Sequence, residues 1–238
     1  MSPGEGGHLS RCLLLFSKPA RPGQVKTRLI GELSPEQAAQ LHGAFLADLA
    51  GRLSHGRFTL QVAWALAAEE PIPDQPPGGS RQVGEDLGQR LYQALGRAAQ
   101  TFPLVAAVGS DHPELPLSIV HQAFDKLVDG SDLVLGPAED GGYYLVGARR
   151  QALQPQIFDD VPWSTAAVLE TTLERCRSLE LKVDLLPTGA DVDTPEDLSR
   201  LIVRLAQRPE LDCPSTRRLL ETWGRLKRPS GGAQHENP

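Results

Sequence analysis

Two groups of side chains have the types and spacing for work on phosphates. From Lys18 to Arg28 the chain packs Lys18, Arg21, Lys26 and Arg28 into eleven positions of an otherwise acidic protein, with Gly23 and prolines imposing an irregular backbone. Arginine grips a phosphate as a two-pronged fork and lysine as a point charge. Lys26 and Arg28 are two apart and share a side if this stretch is extended. The second group is acidic. Asp111 follows the apolar run Leu104–Val108, and Asp191 and Asp193 alternate with Val192. Carboxylates of this kind, one or two at a time, hold Mg²⁺ together with substrate phosphates. Each group also has a plainer reading, the first as a solvated basic loop and Asp111 as a turn or helix cap.

Further polar positions flank these. Glu139-Asp-Gly-Gly-Tyr143 carries paired glycines that permit close approach to a ligand. There Asp140, with Gly141 and Gly142, is a candidate for substrate contact or a plain turn, and Tyr143 opens the next strand. Gln82, Asp86 and Arg90 surround a helix start that could face an anion, with Asp86 also an ordinary cap. Trp163 is packing or a substrate wall, and Ser164 reads as a helix cap. The six histidines show no metal spacing, and no Ser-His-Asp or Cys-His arrangement is supported.

The elements that position these residues are short apolar runs alternating with helical patterns. Strands are expected at Cys12–Phe16, Phe58–Trp64, Leu104–Val108, Asp132–Gly136, Tyr143–Val146 and Lys182–Leu186. Ser34-Pro-Glu-Gln37 is a capping box opening a helix that carries Leu41, Phe45, Leu49 and Leu53. Other helices are expected from Asp86, over about Leu117–Leu127 and Thr165–Ser178, from Pro195 to Gln207 with Thr194 and Asp197 as its cap, and over Ser215–Leu226. The alternation predicts βαβ units and a mainly parallel sheet covered on both faces. Ligands in such folds sit beyond the carboxyl ends of the strands, where Lys26, Asp111 and Asp140 fall.

The 238 residues, with 24 Lys and Arg against 30 Asp and Glu, suit one domain, expected over residues 9–226 between flexible termini at 1–8 and 227–238. Net charge −6 disfavours general nucleic-acid binding, and no apolar stretch is long enough for a membrane helix. The start lacks a secretory pattern and the three cysteines are widely spaced, so a cytoplasmic protein with reduced thiols is expected. Pro71–Ser80 reads as a surface loop.

Six segments in order resemble one family: Phe16-Ser-Lys-Pro with Pro22-Gly-Gln-Val-Lys-Thr-Arg-Leu29, Gly84-Glu-Asp-Leu-Gly-Gln-Arg90, Gly109-Ser-Asp-His-Pro113, Gly136-Pro-Ala-Glu-Asp-Gly-Gly-Tyr-Tyr144, Val161-Pro-Trp-Ser-Thr165 and Asp191-Val-Asp-Thr-Pro-Glu-Asp-Leu198. Across about residues 11–205 the chain is similar to the GT-A-type glycosyltransferase-like, selenodomain-associated transferases. It is more distantly similar to 2-phospho-lactate and molybdenum-cofactor guanylyltransferases. It departs from typical nucleotidyltransferases in lacking the glycine-rich start of the first loop, and His112 stands where a small residue or Cys is expected.

The resemblance implies an α/β, three-layer, Rossmann-like nucleotide-diphospho-sugar transferase (GT-A) fold with a mixed, mainly parallel sheet. It also implies a nucleotide over the first loop (Lys18, Gly23, Lys26, Arg28, Gln82, Asp86) and Mg²⁺ or Mn²⁺ at Asp111, with Asp193 favoured over Asp191 as second ligand. Lys26, Arg28 and Asp111 are the expected catalytic residues. Asp140, Gly141, Gly142, Tyr143, Trp163 and Ser164 are the expected substrate contacts. The expected reaction is nucleotidyl transfer from a nucleoside triphosphate to a small phosphorylated acceptor. The alternatives are glycosyl transfer from a nucleotide sugar and a non-catalytic nucleotide-binding module.

Overall fold

The computed structural model describes residues 10–74 and 79–227. The expected flexible lead, nearly all of the expected tail and the centre of the Pro71–Ser80 loop lie outside the described residues. Among those described, seven strands form one sheet: β1 (Arg11–Ser17), β2 (Thr59–Trp64), β3 (Ser80–Arg81), β4 (Leu104–Gly109), β5 (Leu133–Pro137), β6 (Tyr143–Arg149) and β7 (Val183–Leu185). The order is β3-β2-β1-β4-β6-β5-β7. β6 runs antiparallel to both neighbours and every other pairing is parallel, so the sheet is mixed and mainly parallel. The two-residue edge strand β3 falls where the sequence predicted only loop. Without an apolar run it carries no strand signal and is held by pairing with β2.

Helices cover both faces. The side chains of α1 (Pro35–Leu53) and α3 (Leu117–Val128) pack with Leu13, Leu15, Ala106 and Val108 on one side. Those of α2 (Leu87–Ala99) and α4 (Val168–Ser178) pack with Cys12, Leu14, Val105 and Ala107 on the other. The strict alternation along β1 and β4 is why both strands read as continuous apolar runs: each is buried on two faces. A third cluster joins α1 to α5 (Pro195–Gln207) and α6 (Pro214–Thr222) through Phe45, Leu198, Leu201 and Leu220. Leu29 and Leu33 of the basic loop are buried in this cluster and pin the loop to the body. The three cysteines are buried and unpaired. No described helix is long and apolar enough to cross a membrane.

Both predicted capping boxes form. Ser34 accepts from the Gln37 amide while the Gln37 side chain accepts from the Ser34 amide, and Thr194 and Asp197 do the same at α5. Two helix ends differ from expectation. α4 begins at Val168 rather than Thr165, because Thr165 folds back: its hydroxyl donates to the Pro162 carbonyl at 2.7 Å. Ser164 therefore caps nothing and lies in the left-handed region at φ 66°. α6 stops at Thr222 because Gly224, at φ 68°, reverses the chain and lets Arg225 N–H donate to the Leu220 carbonyl at 2.8 Å.

Gly141 is a position where only glycine fits. Its φ is +88°, a β carbon there would lie 2.2 Å from the Ala166 carbonyl oxygen, and its own carbonyl accepts from Leu169 N–H at 2.9 Å. Gly141→Ala is expected to destabilise the fold by more than about 1 kcal/mol, read from the urea midpoint. An unchanged midpoint would contradict this clamped turn.

Candidate functional site

The strand order reverses between β1 and β4: β2 lies beyond one, β6 beyond the other. A crevice opens at such a switch point, and the chain leaving each of the two strands borders it. β1 delivers the basic loop and β4 delivers Ser110 and Asp111. The two strands are in register, Phe16 beside Gly109, so Ser17 and Ser110 emerge together and the Ser17 hydroxyl donates to Ser110 Oγ at 3.1 Å. His42 of α1 lies beneath, its Nε2 3.0 Å from the Lys18 carbonyl and 3.2 Å from Ser17 Oγ. Burial pushes the pKa of this imidazole down. The network fixes the chain as it leaves the sheet, and the sequence reading missed it because His42 sits mid-helix with no motif around it.

Lys26 is the centre of the site. Its Nζ donates to the Val192 carbonyl at 2.8 Å and to Asp193 Oδ1 at 3.0 Å, and it is ion-paired with Asp111 Oδ1. The Phe45 ring lies beneath the ammonium, 5.5 Å from its centroid. The Lys26 side chain is 1% exposed, that of Asp111 43%. Burial works against the charge of Lys26, and Asp111 and Asp193 outweigh it, so the lysine pKa is raised. Burial likewise opposes ionisation of Asp111, but Lys26, with smaller help from His42 and Lys18, holds its pKa below the usual carboxylate range. Asp111 Oδ2 forms no hydrogen bond among the described residues.

Lys26 and Arg28 do not share an extended segment as the spacing suggested. Lys26 is left-handed, φ 48°, and Thr27–Leu29 form a 3₁₀ turn. They meet nonetheless, on the two oxygens of one carboxylate: Arg28 reaches Asp193 Oδ2 at 3.1 Å, with its own side chain 68% exposed. Asp193 is thus engaged on both sides by cations. Among the described residues Asp191 has no such partner. Burial first, then the charges of Asp111, Asp193 and Asp140, push its pKa up to about 7 against the opposing pull of Lys26. The segment that carries these residues is tied to β4 by a bond from Val192 N–H to the Asp111 carbonyl, 2.9 Å.

Two polar clefts flank this centre. One, of about 320 Å³, is bordered by Arg28, Asp140, Asp191, Asp193, Thr194 and Arg200. Asp140 shapes its rim by accepting from Gly142 N–H at 2.9 Å. The other, of about 280 Å³, lies at the β2–β3 edge between Ala65, Leu66, Gln82, Gly84 and Arg90. Gln82 is held there by donating to the Ala63 carbonyl at 2.7 Å. Asp86 caps α2 by accepting from Gln89 N–H at 2.8 Å. The Lys18 side chain is exposed above the crevice, and Gly23 turns the loop at φ 74°. Tyr143 and Trp163 meet edge to face, centroids 6.2 Å apart, on the α2 side. The structure therefore brings Lys26, Arg28, Asp111 and Asp193 together, sets Asp140 at one cleft with Gly141 and Gly142 forming the turn behind it, and places Gln82 in the other.

No three His, Cys, Asp or Glu side chains among the described residues form a ligating cluster. The donors fit a hard cation on other grounds. They are carboxylates, one of them open on one oxygen and another without a cationic partner, the minimal protein contribution for an ion that takes its remaining ligands from phosphate and water.

In metal-free buffer, the Asp191 carboxyl is expected to make stability fall as pH rises from 3.8 to about 7, since the folded state keeps a proton there that the unfolded chain has lost. Asp191→Asn is expected to flatten that slope and to be more stable than the parent at pH 8 by on the order of 1 kcal/mol. Parallel pH profiles of the two urea midpoints would contradict the raised pKa.

The fold has relatives among solved structures. A crystal structure from Desulfovibrio desulfuricans G20, described as a candidate nucleotide-diphospho-sugar transferase, is 30% identical, with a TM-score of 0.80 over 92% of this chain and 99% of that one. A CMP-2-keto-3-deoxy-manno-octonic acid synthetase complexed with CTP aligns at 13% identity and TM-score 0.54 over 84% of this chain and 99% of that one. A cytidylyltransferase from Leptospira borgpetersenii aligns at 13% identity and TM-score 0.53 over 94% and 99%. No curated protein matches the chain. These neighbours are transferases, and the fold they share with this chain is the nucleotide-diphospho-sugar transferase fold that the six motifs imply. Residues 40–165 match the family described as uncharacterized protein conserved in bacteria, DUF2064, and the chain belongs to that family.

Proposed function

We propose that the protein is a Mg²⁺-dependent nucleotidyltransferase that uses a nucleoside triphosphate and a small phosphorylated acceptor. The observation that carries this reading is the meeting of Lys26 and Arg28 with Asp111, Asp191 and Asp193 at the switch point. An acceptor phosphate oxygen attacks the α-phosphorus, the bond from that phosphorus to the bridging oxygen breaks, and pyrophosphate leaves. Such chemistry asks a protein for positioning and charge compensation rather than a nucleophile, and the Ser17–His42 pair beneath the crevice is buried.

Arg28 is an available phosphate contact, being exposed and held by a single carboxylate. Lys26 holds the carboxylates in place and presents positive charge from below. The sequence reading paired Asp111 with Asp193 as metal ligands. With both oxygens of Asp193 engaged, Asp111 and Asp191 are the better pair to hold Mg²⁺. When bound, the ion supplies charge neutralisation to the donor phosphates. Gln82 and Arg90 border the cleft suited to the base. The neighbour holding CTP supports a triphosphate donor. A second reading, glycosyl transfer from a nucleotide sugar, is favoured by the name of the 30%-identical relative. In it a nucleoside diphosphate leaves and Asp140 contacts sugar or acceptor.

Incubation with Mg²⁺ and panels of triphosphates and nucleotide sugars separates the two readings. Pyrophosphate release is expected with one triphosphate, and nucleoside diphosphate release from a nucleotide sugar would favour the second. If neither donor class binds, both fail. Asp111→Asn is expected to lower turnover by at least about 100-fold with the fold intact by circular dichroism. Arg28→Ala is expected to weaken donor binding about ten-fold in low salt, with less effect in high salt and no loss of stability. Lys26→Ala is a poorer probe, because it takes the cation from Asp111, leaves Asp193 with Arg28 alone and releases the loop from the Val192 carbonyl, so binding and anchorage are lost together.

A further inference from the structure

The sheet thins toward the crevice on the α2 side. Along β4, residues 105, 107 and 109 face that side and 106 and 108 the other, so the side chain shrinks from valine through alanine to glycine as the strand nears Asp111. The hollow this leaves is a cleft of about 100 Å³ with largely apolar walls, among them Phe16, Leu87, Leu91, Ala107, Gly109 and Tyr143. Phe16 stands beside Gly109 in register, and Leu91 is buried beneath the cleft. Leu87, the first residue of α2, is 44% exposed at its mouth. Gly109 is not glycine for backbone reasons. Its φ lies outside the left-handed region, and a β carbon there would have no atom within 4 Å. What glycine contributes is space.

We propose that this cleft receives the apolar body of the acceptor, so that the acceptor is an organic phosphate whose non-phosphate part is aliphatic or aromatic rather than polyhydroxylated. The inference rests on the nucleotidyltransferase reading and adds the substrate class to it. Gly109 lines the cleft and stands one residue before Ser110 and two before Asp111, so the chain that leaves the cleft wall is the chain that carries the site's first carboxylate. The clefts on either side are lined by Gln82 and Arg90 or by Asp140, Asp191 and Arg200, which suit a base, a sugar or an ionic group. The residues that line the apolar cleft carry no charged side chain, and its largely apolar surface suits a hydrocarbon group.

Three probes test this by calorimetric titration: phenyl phosphate, glycerol phosphate and inorganic phosphate, each with the full chain, Mg²⁺ and a non-hydrolysable triphosphate. Phenyl phosphate is expected to bind at least about ten-fold more tightly than glycerol phosphate, the scale of burying one small ring. Gly109→Leu fills the cleft and is expected to bring the two within about two-fold while leaving the triphosphate affinity and the thermal midpoint unchanged. Should that variant fold poorly, Leu87→Asp at the exposed helix start makes the same wall polar and is expected to abolish the preference. Equal binding of the two phosphate esters by the parent protein, or a preference that survives both substitutions, would overturn the proposal. So would a loss of triphosphate affinity in Gly109→Leu, which would assign the cleft to the donor. If no triphosphate binds but the Gly109-dependent preference for phenyl phosphate persists, the transfer reading falls and the apolar cleft stands.

Discussion

The site depends on one buried ammonium. Lys26 joins three stretches of chain that are far apart in sequence, the loop after β1, the end of β4 and the approach to α5, through Asp111, Asp193 and the Val192 carbonyl. Placing a lysine out of water costs several kcal/mol unless its charge and its hydrogen bonds are satisfied. Here two carboxylates, a carbonyl and an aromatic face satisfy it. The backbone also yields: Lys26 takes a left-handed conformation, which costs a non-glycine residue about 1 kcal/mol or more. An interaction with these costs is a weak source of stability. It fixes the distance between the basic loop and the carboxylates, which is what chemistry at the crevice requires.

The electrostatics of the crevice are unbalanced in the direction its proposed ligands need. Asp111, Asp140, Asp191 and Asp193 converge on a region where Lys26 and Arg28 are the paired cations. The surplus adds to the effect of burial at Asp191, where burial first and then Asp111, Asp193 and Asp140 push the pKa up to about 7. A phosphorylated donor alone would deepen the imbalance, since it brings anions to a region already short of cations. A divalent cation arriving with the donor corrects both deficits, and the exposed guanidinium of Arg28 can follow the phosphates without disturbing Lys26.

Much of the fold was legible because its strands are buried on both faces and its helices announce their starts. Ser34 with Gln37, Asp86 with Gln89 and Thr194 with Asp197 mark three helix starts by local chemistry alone. The predicted carboxylates and cations of the crevice also met, since all lie in loops at the carboxyl ends of strands. Their division of labour was not legible. Spacing cannot distinguish Asp191 from Asp193, because the difference lies in which of them faces Lys26 and Arg28, a fact of tertiary packing. The boundaries that moved, at Ser164 and at Gly224, are single residues with positive φ, where a side-chain bond or a glycine overrides helical periodicity.

β4 shows how one strand can serve both core and site. Its outward progression of valine, alanine, glycine and then aspartate trades packing volume for space and finally for charge over a few residues. The sheet tolerates the loss because β1 and β6 supply bulk alongside it, Phe16 next to Gly109 and Val146 next to Ala107. A larger residue at 109 would extend the core by one side chain and close the apolar approach to Asp111, with no fold-level reason to prevent it. Emptiness at a position where the backbone accepts any residue and the neighbours leave room is therefore better explained by what must enter than by what must pack.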